Sequence, residues 1–86
     1  MDPVLSSLPE SLLRFVEDQL SNSDEATDEE LHAHFVANGL SDAQAAQALK
    51  YRTLYWCHIY LEGFTPIRKG HEALHYNALT GQFELH

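Results

Sequence analysis

The sequence predicts an α+β fold that is mostly α, with three helices and a C-terminal β-hairpin in one domain spanning residues 1–86. Three observations predict it. Strings of Ser or Thr followed three residues later by Glu or Gln begin at Ser7, Thr27 and Ser41, each at the head of a helical apolar pattern. The stretch from Ser41 to Leu61 is the longest unbroken helical pattern in the chain. Near the C-terminus, apolar residues alternate on either side of a Gly-containing loop, the signature of a hairpin. Residues 1–6 are expected to be a flexible lead-in, 7–61 the helical part, and 62–86 a connection and hairpin.

The first helix is expected from Ser7, with Glu10 completing a capping box and Pro9 in the first turn, where its missing N–H costs nothing. Leu8, Leu12, Leu13, Phe15, Val16 and Leu20 share one face, and Glu10, Arg14, Glu17 and Asp18 the other. The segment SNSDEA is a loop. Thr27 and Glu30 then box a second helix that runs to Asn38, with Asp28, Glu29 and Glu30 facing the positive end of its dipole and Leu31 and Phe35 pointing inward. Gly39 ends it, and Leu40 folds back in the apolar contact that accompanies such a cap.

Ser41 and Gln44 cap the third helix, which is expected to continue to Leu61 and stop at Gly63, a rod of roughly 30 Å. Ala45, Ala46, Leu49, Thr53, Leu54, Trp56, Cys57, Tyr60 and Leu61 fill an arc about 180° wide, with Cys57 inside it as a small buried hydrophobe. Gln44, Gln47, Tyr51, Tyr55 and His58 form the opposite stripe. Beyond FTPIRKG, an irregular connection, Ala73–Tyr76 and Gln82–His86 pair around Asn77, Thr80 and Gly81, with Gly81 at positive φ. Leu74, Tyr76, Phe83 and Leu85 share a face. A lone hairpin is marginal in water, so this face is expected to pack on the long third helix.

Charge narrows the function. Thirteen acids against five Lys and Arg give −8, which opposes non-specific nucleic-acid binding. Residues 1–49 hold ten acids and only Arg14, for −9, whereas residues 50–86 carry +1. A lone Cys rules out an internal disulfide framework, no apolar run approaches a membrane span, and MDPVLSSLPE lacks signal-peptide character. A soluble cytoplasmic protein is the expectation.

No metal, cofactor or catalytic residue is assigned. His32 and His34 diverge by about 160° on a helix, and His71 and His75 would lie about 13 Å apart in an extended chain. Neither CxxC nor HExxH is present, nor GxSxG or a phosphate-binding Gly-rich loop.

The corner DEELHAHFVANGLSDAQAAQALK resembles a DNA-binding helix-turn-helix around Asn38, Gly39, Leu40 and Ser41, and the hairpin after it resembles the wing of a winged helix. It departs from that motif at Phe35, where a small residue is usual. The corner is also similar to the helix–Gly–aliphatic–helix turn of ubiquitin-associated-like bundles. Leu40, Ser41, Gln44, Ala48, Leu49 and Trp56 are similar to a string in the ProQ/FinO RNA chaperones. The helix-turn-helix resemblance implies nucleic-acid binding, for which the basic candidates are Lys50, Arg68 and Lys69. Lys50 and Arg52 diverge by about 160°, so they form no joint phosphate patch.

The leading expectation is a small acidic, non-enzymatic interaction or regulatory protein. It would meet a basic protein partner through Asp24, Glu25, Asp28, Glu29 and Glu30 and through an exposed Tyr51/Tyr55 stripe. A homodimer is compatible with the same surfaces. The alternative is the winged-helix-like DNA- or RNA-binding regulator.

Overall fold

The computed structural model describes residues 1–85 and is mostly helical with a two-stranded antiparallel hairpin at the C-terminus. The order is α1 (Glu10–Asn22), α2 (Asp28–Ala37), α3 (Asp42–Leu49), α4 (Arg52–Cys57), α5 (Pro66–Lys69), a 3₁₀ turn (Gly70–Glu72), β1 (Leu74–Asn77) and β2 (Gln82–Leu85).

The α2–α3 corner forms as local chemistry dictates. Thr27 with Glu30 and Ser41 with Gln44 both make reciprocal capping boxes. Between them Gly39, at φ 117°, closes a Schellman motif: Leu40 N–H bonds Phe35 O at 3.1 Å and Gly39 N–H bonds Val36 O at 3.1 Å. Leu40 and Phe35 are buried together with Leu13, Val16, Leu20, Leu31, Ala45 and Ala48. The third box does not form. Pro9 takes the cap position of α1, Ser7 Oγ accepts from Gln44 Nε2 at 3.1 Å, and Glu10 turns to Arg68 and Arg14.

The single third helix is also corrected: it is two helices and an extended segment. After α3, Lys50 and Tyr51 bond back only three residues, to Gln47 and Ala48, tightening the chain into a bend before α4. The bend resets the helical phase, so the sequence's apolar arc does not survive it. Tyr55 is buried against α1, while Leu54, Trp56 and Cys57 are exposed. His58 is extended (φ −132°, ψ 150°), which suits the β-branched and aromatic Ile59-Tyr60 pair that follows. Gly63, at φ 82°, serves a turn closed by Phe64 N–H to Leu61 O at 2.9 Å rather than a helix end.

Residues 1–6 are not a frayed lead-in. Asp2 N–H bonds Ile67 O at 2.8 Å, and Leu5 is fully buried in the core. Asp2 meets Gln47 of α3 and Tyr51 in the bend after it, and Ser7 meets Gln44 of α3.

The hairpin pairs Leu74 with Leu85 and Tyr76 with Phe83, so the four share a face as the alternation predicts; Asn77, expected in the loop, instead pairs with Gln82, and Gly81 has φ 69°. Segment 59–61 runs antiparallel beside β1 and joins it through one isolated bridge. Tyr60 bridges His75, with Leu61 N–H to Leu74 O at 2.9 Å and Tyr76 N–H to Ile59 O at 2.7 Å. The expected docking of the hairpin's apolar face on a long helix is not found: Tyr76, Phe83 and Leu85 are exposed. The partly buried residues of the strands include His75, Asn77 and Glu84 on the opposite face.

Candidate protein-binding surface

The site is built from the way the few cations are allotted. Arg52, in the first turn of α4, reaches into the α1–α2 loop. Its Nη1 meets Asp28 Oδ1 at 2.6 Å, and its Nη2 donates to the carbonyls of Ser23, at 2.7 Å, and Ala26. One guanidinium thus satisfies two loop carbonyls and one carboxylate, a charge-assisted set stronger than neutral bonds. The loop between its anchors has one course, and Asp24 and Glu25 stand outward on it. Glu29, in the first turn of α2, is exposed as well.

The five acids of the predicted patch therefore divide. Asp28 is paired with Arg52. Glu30 closes the capping box, and the Thr27 backbone N–H and side chain hold its carboxyl below the ordinary value. Asp24, Glu25 and Glu29 have neither an ion pair nor a side-chain hydrogen bond among the described residues. The acidic ridge is these three exposed carboxylates, two on the loop and one in the first turn of α2, whose charge is not compensated among the described residues.

Arg68 is committed elsewhere. Its Nη2 and Nη1 meet the two oxygens of Glu10 at 2.8 and 3.0 Å, and its Nε meets Glu17 at 2.8 Å. Those hydrogen bonds, that with Glu10 foremost, raise its pKa against the opposing effect of burial. Glu17 also accepts Tyr55 Oη at 2.5 Å, and Ile67 N–H donates to Tyr55 Oη at 3.4 Å. Burial first, and then this contact with Glu17, raises the Tyr55 hydroxyl. Tyr55 is thus a core residue, not part of an exposed stripe.

Tyr51 is half-buried. It donates to Asp2 Oδ2 at 2.6 Å, and burial followed by that carboxylate pushes it up to about 12. Burial would raise Asp2, but Tyr51, Gln47 and the N–H groups of Val4 and Leu5 outweigh it and hold the carboxyl below its ordinary range. The Tyr51/Tyr55 stripe is therefore covered, by the N-terminal segment at Tyr51 and by α1 at Tyr55.

Of the basic candidates, Arg68 faces inward onto acids and the Lys69 ammonium sits 5.6 Å over the Phe64 ring. Lys50 is exposed. The structure does not gather the three into an open cationic patch, because one of them is already neutralised.

Sequence reasoning missed Arg52 as the anchor of the ridge. The signal was present: a cation in a chain this acidic is most stable against acids, and SNSDEATDEE is the densest acidic run. It also missed the outward apolar face of the sheet and the exposure of Trp56, both of which follow from the bend at Lys50 and Tyr51. Alongside Trp56, an open groove of about 1280 Å³ runs between α1 and residues 55–63, with Glu10, Asp18 and Glu62 on its rim. No helix is long and apolar enough to cross a membrane.

No family model, curated protein or solved structure matches this chain.

Proposed function

We propose that this chain is a small, non-enzymatic cytoplasmic protein that binds a basic protein partner through the ridge Asp24, Glu25 and Glu29. The observation that carries the reading is the anchoring of the loop by Arg52. Three uncompensated carboxylates on a fixed backbone attract a cationic surface without the ordering cost of a mobile loop. The overall charge of −8 adds long-range steering, which accelerates encounter with a basic protein and weakens as salt rises.

The test is affinity capture from lysate, with and without nuclease, using the wild type and the triple variant Asp24→Lys, Glu25→Lys, Glu29→Lys. A basic protein retained by the first and lost by the second, with binding that falls steeply between low and high salt, is the expected result. Capture that disappears with nuclease, and is lost on reversing Lys50 and Lys69 instead, would replace this reading with the nucleic-acid one. Glu30 is left out of the variant because its carboxylate caps α2.

A further inference from the structure

The C-terminal sheet leaves four apolar side chains of one face exposed, Ile59, Tyr76, Phe83 and Leu85, while Leu61 and Leu74 beside them are half-buried. In an antiparallel sheet, directly opposed residues share a face. Tyr60 opposite His75 therefore sets Ile59 against Tyr76 and Leu61 against Leu74, and the hairpin sets Tyr76 against Phe83 and Leu74 against Leu85. One face carries two apolar rows, Ile59–Tyr76–Phe83 and Leu61–Leu74–Leu85, with the Tyr76 and Phe83 rings 5.5 Å apart. Ile59 is 70% exposed, Leu85 58%, Tyr76 41% and Phe83 40%. The other face carries His75 and Glu84, both partly buried.

We infer that this face is a self-association surface, on which two copies of the chain pack their hairpins, each with its adjoining residues 59–61, face to face. The face bears no ionisable side chain apart from the Tyr76 phenol, and so nothing on it selects a basic partner. It belongs to residues 50–86, which carry +1, whereas residues 1–49 carry −9. Two chains of −8 can therefore meet here without stacking their acids, which no surface of the first half allows. An apolar face repeated about a two-fold is complementary to itself, and aligned sheets pack about 10 Å apart in this way.

The ridge stays free in such a dimer. It is tied to the first turn of α4 by Arg52, and the sheet begins just beyond the last turn. A standard interface takes about 800 Å² from each side. Four side chains that are 40 to 70% exposed supply only part of that, so the dimer is weak and depends on concentration.

Sedimentation equilibrium from low to high micromolar protein tests this. The expected mass approaches twice 9.8 kDa at the upper end. Phe83→Asp and Ile59→Asp should each hold it at the monomer value with the far-ultraviolet helical signal unchanged. Ile59 lies outside the hairpin, so its variant stays informative even where Phe83→Asp unfolds β2. The triple ridge variant should dimerise at least as well as the wild type, which separates this result from the partner reading. A monomer at every concentration, or a dimer that survives both substitutions, would overturn the inference. So would a dimer abolished only by Leu85→Pro. The Leu74 and Tyr76 backbones face residues 59–64, which turns the Leu85 N–H to the free edge of β2. That loss alone would mean the sheets join edge to edge.

Discussion

The helical corner α2–α3 and the C-terminal sheet solve the same problem in opposite ways. In the corner Leu31, Phe35, Leu40, Ala45 and Ala48 are buried, and each helix start is closed by a neighbour within a few residues. In the sheet the backbone pairs antiparallel, yet Tyr76, Phe83 and Leu85 are exposed while His75, Asn77 and Glu84 are half-covered. Local patterning decides which residues share a face. Only tertiary packing decides which face is inside, and the sheet has no layer of its own to pack on.

The largest effect expected from breaking this contrast is at Phe35. Phe35→Ala empties a fully buried site and should cost about 3–5 kcal/mol, read by urea denaturation. Phe83→Ala, at a dilution where the chain is a monomer, should cost less than about 1 kcal/mol. Similar costs for the two would mean the sheet is packed as tightly as the corner.

Next is Arg52→Ala. Leaving Asp28 and two loop carbonyls without their donor should cost about 1–3 kcal/mol and release the ridge, whereas Lys50→Ala should stay within about 0.5 kcal/mol. Backbone relaxation of Asp24 and Glu25 by NMR would show whether the loop has loosened. An unchanged loop would remove Arg52 from the argument.

A smaller effect is expected at Asp2. Its carboxyl is held below the ordinary 3.8, so its stabilising contribution is fully present above that value and is lost as the pH falls through the lowered folded value. Tyr51→Phe should cost about 1 kcal/mol at neutral pH by removing one charged-acceptor bond, and it should flatten the stability–pH slope at the acid end. The smallest change in stability is at the ridge itself. Glu29→Lys should stay within about 0.5 kcal/mol while weakening capture of the partner.

How much of this was legible follows from the reach of each interaction. The two capping boxes, Gly39 and the faces of the hairpin strands all depend on residues close in sequence and were read from it. The bend after Leu49 was not, because it is matched to partners far along the chain: Asp2 for Tyr51, 49 residues away, and Glu17 for Tyr55, 38 residues away. Once the helix bends, Tyr55 enters the core and Trp56 leaves it, so the periodicity arithmetic fails from that residue onward. The lead-in was misjudged for the same reason. Nothing local to MDPVLS announces that Asp2 will cap its own turn and bond Ile67.

The bond between Asp2 and Ile67 also sets an order of assembly. The α2–α3 corner closes over a few residues and is cheap in loop entropy, whereas the N-terminal latch must wait for α5 to arrive from 65 residues away. Mutations in the corner, such as Leu40→Ala, should slow refolding. Leu5→Ala should leave the refolding rate almost unchanged and speed unfolding, the behaviour of a contact absent from the transition state. Residues 1–6 would then be among the last to find their place.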